Sequence, residues 1–281
     1  MTLLFTKMHG LGNDFVVIDA TSIDFQPDPT LLARLASRRI GVGCDQILVI
    51  DPPPADEPDV DFGYRIFNAD GSEVGQCGNG ARCLARYVQE HGLSEKDSLR
   101  IRTRTRTLEL IQLEDGRVRV NMGVPRFDPQ DIPMLAQARE LRYTLPLEAG
   151  QARSFGAVSV GNPHVVFAVE HVDSAPVVEL GQTLQENPMF PERVNVGFAH
   201  FLDPGHVRLR VYERGAGETL ACGSGACAAV VIGQLWGELG VDVNVRVNGG
   251  ELDIEWHGEG EPVWMTGPAE TVFEGTIEWR S

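Results

Sequence analysis

Two of the five cysteines stand in the same local sequence, Cys77-Gly78-Asn79-Gly80 and Cys222-Gly223-Ser224-Gly225. A strand-like run before each cysteine and a helix-forming run after its glycines put the sulfur at a strand-to-helix junction. There the unpaired N–H groups and the positive end of the helix dipole stabilise a thiolate and lower the thiol pKa. The same amides can hold a carboxylate, and glycines let a ligand approach the backbone closely. Each junction thus offers an anion site beside a reactive sulfur. Inverting an α-carbon takes removal of its hydrogen from one face and delivery of a proton to the other, a task suited to two equivalent acid/base groups. One cysteine in this setting is more often a small buried residue than a catalyst. Two in matched settings turn the reading toward chemistry.

The match extends well beyond the cysteines. Residues 65–81, beginning Arg65-Ile66-Phe67-Asn68, align without gaps on residues 210–226, beginning Arg210-Val211-Tyr212-Glu213, at a constant offset of 145 (222 minus 77). Nearer the start of each half, Gly12-Asn13-Asp14-Phe15 matches Gly161-Asn162-Pro163-His164 at an offset of 149, which also pairs Gln46 with Asn195. A period this long marks a domain duplication, not a solenoid. If the halves face each other about a pseudo-twofold axis, the sulfurs flank one ligand. The duplication also lines up polar residues: Asn13 with Asn162, Gln46 with Asn195, Asn68 with Glu213. These sit at turns or strand ends, suited either to binding an ammonium or carboxylate or to capping a turn. Glu213-Arg214 forms a charge pair before the second glycine turn, and His164 is placed either to tune a thiol or to lie buried and neutral. Cys83, Cys227 and Cys44 have no matched partner and read as packing residues.

The elements that must hold these groups follow from periodicity. Strand-like runs cover residues 16–19, 47–50, 62–67, 117–122, 165–169, 207–212, 241–247 and 252–256. Helices are expected over residues 81–91, closed by Gly92, and over 226–239, closed by Gly240. The second is apolar on nearly every face and must be wrapped. The expected fold is α+β, with two pseudo-symmetric domains, each a mostly antiparallel sheet or barrel around a central buried helix. The first comprises residues 1–124 with a returning strand in 268–281, and the second residues 125–267. Residues 127–147 read as a connector, residues 51–61 as a solvated surface loop, and residues 100–106 as a solvated edge strand with one arginine face.

Composition narrows the partners. A formal net charge of -16 and a pI near 4.8 argue against nucleic acid and anionic membrane surfaces and favour a small-molecule substrate. No stretch approaches the roughly twenty apolar residues of a membrane helix, and residues 1–10 lack the regions of a signal peptide, so the expected location is cytoplasmic. An odd number of cysteines in such a chain points to reduced thiols. Lys7 and Lys96 are the only lysines. Lys96 lies in a loop-like run, which leaves little scope for a pyridoxal phosphate Schiff base.

Taken jointly, the motifs Lys7-Met8-His9-Gly10-Leu11-Gly12-Asn13-Asp14-Phe15, Gly41 to Gln46, Phe67 to Ser72, Cys77 to Cys83, Gly161 to His164, and Glu213 to Thr219 with Cys222 to Gly225 resemble the diaminopimelate epimerase family across essentially the whole chain. The resemblance implies interconversion of LL- and meso-2,6-diaminopimelate without pyridoxal phosphate or metal, as a step toward lysine and peptidoglycan. It further implies Cys77 and Cys222 as the acid/base pair, with amides of Gly78, Asn79, Gly223 and Ser224 around the reacting carboxylate. Asn13, Gln46, Asn68, Asn162, Asn195, Glu213 and Arg214 would bind the remaining amine and carboxylate groups, and His164 and Glu213 would modulate the thiols. It implies a homodimer, with Phe273 standing where the family carries its dimerisation tyrosine.

Three rival readings are weaker. A dinucleotide enzyme would use Gly223-Ser224-Gly225-Ala226-Cys227-Ala228, but Asn248 stands where an acidic ribose ligand is required. A zinc or redox-sensing protein would need Cys-x-x-Cys or histidines at ligand spacing, and neither occurs. A proline racemase shares the two-cysteine logic, but the matched polar set fits a substrate with two zwitterionic ends better.

Overall fold

The computed structural model describes residues 2–75, 77–146 and 152–278. Its elements run β1 (Thr2–Gly10), β2 (Asn13–Asp19), α1 (Pro29–Ala36), β3 (Gln46–Asp51), β4 (Phe62–Asn68), β5 (Glu73–Val74), α2 (Gly78–Glu90), β6 (Ser98–Arg102), β7 (Thr107–Gln112) and β8 (Val118–Gly123). They continue with β9 (Tyr143–Pro146), β10 (Ala152–Ser159), β11 (Pro163–Ala168), α3 (Val177–Gln185), β12 (Asn195–Asp203), β13 (His206–Glu213), β14 (Gly217–Thr219), α4 (Gly223–Leu235), β15 (Asp242–Val247), β16 (Gly250–Glu255), β17 (Val263–Gly267) and β18 (Glu270–Glu278). Gln76 of the repeat, Leu147 at the connector's end and Trp279 at the end of the expected last strand lie outside the described residues.

The chain divides into two compact units, Met1–Val120 with Gly267–Ser281, and Asn121–Thr266. In the first, pairing follows the order β18, β1, β2, β3, β4, β6, β7, β8. The pairs β2 with β3 and β4 with β6 are parallel, separated along the chain by α1 and α2, and the rest are antiparallel. In the second, the order is β9, β10, β11, β12, β13, β15, β16, β17, again with two parallel pairs, separated by α3 and α4. The registers repeat too: Phe15 pairs with Gln46, and His164 with Asn195.

Each sheet is covered on both faces. α2 packs against β1, β2, β3, β7 and β18, and α4 against β10, β11, β12, β13 and β16. The outer faces bury Phe67, Val49 and Leu32 with α1, and Phe155, Phe167, Phe198 and Leu180 with α3. That double covering is why Val16–Ile18 and Ile47–Ile50 are continuous apolar runs and not alternations.

Both central helices begin earlier than periodicity indicated, at Gly78 and Gly223, with Cys77 and Cys222 as their N-caps. α4 also ends sooner than expected, at Leu235. Gly237 (φ 77°), and not Gly240, turns the chain, with Glu238 N–H donating to the Gly233 carbonyl at 2.9 Å. Gly92 (φ 63°) does the same for α2 through Leu93 and Val88. Only glycine takes this left-handed position without penalty. The arginine run is likewise not an edge: β6 pairs on both sides, and Thr103 to Arg106 forms the turn into β7. Arg102 reaches back to Glu57 at 3.1 Å, so the acidic loop is pinned to the sheet.

Candidate active site

In the first half, α2 presents Cys77 with its Sγ accepting the Gly80 N–H at 3.4 Å. Gly80 is required by packing: a Cβ there would stand 2.3 Å from the Tyr64 hydroxyl and 3.0 Å from Leu48. The glycine lets the first turn of α2 lie directly on the sheet, which brings the sulfur to the strand ends. Asn13, opening β2, places Oδ1 at 4.0 Å from the sulfur and accepts from Asn79 Nδ2 at 3.1 Å. Gln46 and Asn68 face each other across β3 and β4, Gln46 Nε2 donating to Asn68 Oδ1 at 3.0 Å. Gly78 opens α2 directly after Cys77.

In the second half, α4 presents Cys222, nearly fully buried, in a different set of contacts. Its thiol donates to Glu213 Oε2 at 3.1 Å, while Glu213 Oε1 accepts from Thr219 at 2.5 Å. Asn162 Nδ2 donates to Ser224 Oγ at 3.2 Å, so its Oδ1 faces His164 Nε2 at 3.0 Å. An amide oxygen only accepts, so His164 carries its proton on Nε2. Ser224 Oγ, 2.9 Å from that nitrogen, shares the same N–H with Asn162 Oδ1 and accepts from Asn162 Nδ2, and its own hydrogen is left for Cys222 Sγ at 3.6 Å. Asn195 Nδ2 donates to the Pro163 carbonyl and its Oδ1 accepts from Arg214 N, both at 2.9 Å. The Arg214 guanidinium donates to the Glu192 carbonyl at 3.1 Å.

The electrostatics correct one expectation. Burial and the charge of Glu213 push the Cys222 thiol well above its usual range, against the help that Ser224 and the Gly225 amide give the thiolate. The helix end therefore does not lower this thiol: desolvation and a carboxylate at hydrogen-bond distance outweigh a dipole effect of about 1 kcal/mol. His164 is buried, and burial, then Arg214, lower its pKa to about 3, so it is neutral. Its hydrogen-bonded path to the sulfur runs through Ser224. Gly225 also serves packing, since a Cβ there would meet Val211 at 2.9 Å. Cys44 and Cys83 are buried, with burial pushing both thiols up to about 12, and Cys227 is wholly buried in α4. Among the described residues, no group of three or more His, Cys, Asp or Glu could hold a metal ion.

Some groups escaped sequence reasoning. Thr219, which orients Glu213, aligns with Val74 in the first half, so the Asn68/Glu213 difference is accompanied by a second polar change six residues on. Asp14 and Asp45 flank Asn13 and Gln46 and hold an ion cluster with Lys7 and Arg38. Phe273 lies on β18, opposite Lys7 of β1, with its ring edge-on to Phe5 at 6.0 Å.

The family model described as "Diaminopimelate epimerase" matches residues 5–127 and 156–272. The chain is 55% identical over 279 residues to the diaminopimelate epimerase of Nitrosospira multiformis, covering 99% of each. It is 52% identical over 278 residues to that of Nitrosomonas europaea, covering 99% of this chain and 100% of the relative. Among solved structures it is similar to a hydroxyproline epimerase from Agrobacterium vitis with bound trans-4-OH-L-proline, with a TM-score of 0.73 at 16% identity, over 98% of this chain and 92% of the other. That last likeness is one of fold.

Proposed function

The chain belongs to the diaminopimelate epimerase family, isomerases that interconvert LL- and meso-2,6-diaminopimelate in lysine biosynthesis, and we propose that it performs this reaction with Cys77 and Cys222 as its two acid/base groups. What supports the pair most is the unlike setting of two sulfurs at like positions. Both sulfurs accept a helix-start amide, but the Cys77 thiol donates to the neutral Asn13 oxygen at 4.0 Å, whereas Cys222 donates to the Glu213 carboxylate at 3.1 Å and is held as a thiol. The thiolate takes the α-hydrogen as a proton, and the thiol gives its own proton to the carbanion from the other face. After inversion the roles of the sulfurs are exchanged, ready for the reverse reaction.

The first half contributes Asn13, Gln46, Asn68 and the amides of Gly78 and Asn79. The second contributes Asn162, Asn195, Glu213, Arg214 and the amides of Gly223 and Ser224. Helix-start amides take the reacting carboxylate, and the side chains take the remaining amine and carboxylate groups. His164 orients Ser224, and Glu213 keeps Cys222 protonated. The reaction proceeds without pyridoxal phosphate, which would need a lysine for its Schiff base: Lys7 is tied to Asp14 and the Gly43 carbonyl, and Lys96 to Asp61. The protein works in the cytoplasm, in keeping with its reliance on reduced thiols. It forms a homodimer through β18, where Leu4, Val272 and Phe273 are exposed hydrophobics on adjoining strands.

The test follows solvent deuterium into diaminopimelate under reducing conditions. Exchange at the α-carbon is expected with the native chain and with neither Cys77→Ala nor Cys222→Ala turning over. No exchange with the native chain would sink the reading, and full turnover by either variant would sink the two-thiol mechanism.

A further inference from the structure

Asp14, in β2, and Asp45, one residue before β3, lie side by side, each closing the other's backbone. Asp14 Oδ1 accepts the Asp45 N–H at 2.9 Å, and Asp45 Oδ2 accepts the Asp14 N–H at 3.2 Å. Two carboxylates this close need cations to stay ionised together. Arg38 supplies one, donating to Asp14 at 2.9 and 2.6 Å and to Asp45 Oδ1 at 2.8 Å. Lys7 supplies the other from the buried side, donating to Asp14 Oδ2 at 2.5 Å and also to the Gly43 carbonyl. Lys7 is only 8% exposed. A cation is tolerated there because it is paired and hydrogen-bonded.

The cluster has one further member. Asp45 Oδ2 also accepts from Asn13 Nδ2 at 2.9 Å. A carboxylate only accepts, so the NH2 of Asn13 must face it, and the amide oxygen must turn the other way, toward Asn79 and Cys77. An amide that was free to flip would offer a donor or an acceptor there. This one offers an acceptor, the partner an ammonium requires.

The duplication shows that this device is confined to one half. At the same offset of 149, Asp14 becomes Pro163, Asp45 becomes Val194, Lys7 becomes Gly156 and Arg38 becomes Asn187. None of the four charges is kept. Asn162, the counterpart of Asn13, is oriented by Ser224 and His164 instead.

Resting on the reading that Asn13 binds substrate, we propose that Asp45 is a positioning residue for the epimerisation: held by Arg38, Asp14 and Lys7, it fixes the Asn13 amide with its oxygen toward a substrate ammonium. The test compares the native chain, Asp45→Ala, Asn13→Ala and the double variant with LL-diaminopimelate, with thermal unfolding as a check on folding. Asp45→Ala is expected to raise KM about tenfold with kcat changed less than about threefold, the loss of one well-placed polar contact. In the Asn13→Ala background the same substitution should change kcat/KM less than about twofold, because the residue it acts through is gone. In Asp45→Asn the single amide oxygen can face either Asn13 or Arg38 but not both, so kcat/KM should fall between those of the native chain and Asp45→Ala. Native kcat/KM in Asp45→Ala, or the full loss recurring beside Asn13→Ala, would overturn the proposal. Should Asp45→Ala not fold, Arg38→Met, at a side chain 59% exposed, carries the same pair of expectations. An inactive native chain would defeat the epimerase reading, and a fully active Asn13→Ala the substrate role of Asn13. An active native chain with Asn13→Ala impaired and Asp45→Ala unimpaired would defeat this proposal alone.

Discussion

Glu213→Gln should release the Cys222 thiol. The Cys222 Sγ and Glu213 Oε2 lie 3.1 Å apart, so a thiolate there would stand against a full negative charge. Coulomb's law puts that repulsion at about 1.3 kcal/mol if fully water-screened and about 5 kcal/mol at an effective dielectric near 20. Cys222 is only 4% exposed, so the lower figure is a floor. Glutamine keeps the shape of the side chain. Its oxygen can still accept from Thr219, which turns the amide NH2 toward the sulfur as a donor to the thiolate. The thiolate fraction at a fixed pH below the thiol pKa should therefore rise at least about tenfold. The assay is iodoacetamide alkylation of the ligand-free protein, read peptide by peptide by mass spectrometry, so that Cys222 is separated from Cys77. The rate at Cys222 should rise at least about tenfold, and its pH profile should move to lower pH. Turnover should fall, because less of the enzyme holds Cys222 protonated. An unchanged or slower alkylation rate at Cys222 would refute the argument that Glu213 keeps this sulfur a thiol.

Two further outcomes follow from the geometry. His164 has its pKa lowered by burial from 6.5 to about 3, so below 6.5 the unfolded chain takes a proton that the folded chain refuses. Its stabilising effect is intact above 6.5 and is lost as the pH falls toward 3, at up to about 1.4 kcal/mol per pH unit. Denaturant unfolding at a series of pH values should show a shallower acid slope in His164→Gln, and equal slopes would count against a buried neutral imidazole. On the proposed dimer contact through β18, Phe273→Asp should turn a dimer into a monomer in sedimentation, since it sets a charge on an exposed apolar stretch of that strand beside Val272. A dimer of undiminished stability would place the contact elsewhere.

The repeat was the most legible feature of the sequence because it preserves residues of unusual conformation, and glycines and helix caps leave marks that single-residue propensities do not. It also extends beyond the aligned stretch. Carried past residue 226 at the same offset, Gly92 becomes Gly237, the glycine that closes α4, whereas periodicity alone ran the helix on to Gly240. Periodicity failed there because α4 is apolar on all sides, so its pattern has no face whose end marks a stop. The strand reading of residues 100–106 failed for another reason. Alternating arginine and threonine satisfies the period of a strand, but nothing in that period records that Thr103 caps a turn with its own hydroxyl, donating to Arg106 at 2.8 Å. The raised Cys222 thiol was hidden because a helix start is visible in sequence and burial depth is not. Glu213 was visible, yet its orientation depends on the register of β13 with β14, which pairs Thr219 with Val211 and so sets the threonine hydroxyl diagonally against Glu213.

The places where the two halves differ bear on why duplication suits this chemistry. Two identical sulfur sites would carry protons with equal affinity, and the enzyme would have no preferred arrangement of one thiol and one thiolate. The sites are alike in backbone, with each cysteine capping a helix whose second glycine packs on a strand. They differ in the polar side chains around that shared backbone. Asn68 is matched by Glu213, Asn79 by Ser224 and Phe15 by His164, and the first half's ion cluster has no counterpart in the second. One half thereby sets neutral amides beside its cysteine, of which Asn13 donates to Asp45 of the ion cluster. The other sets a carboxylate against its cysteine and a neutral imidazole behind its serine. On the proposed two-thiol mechanism, the shared backbone would give both sulfurs access to the same kind of reaction, and the unshared side chains would decide which of them holds the proton before substrate arrives.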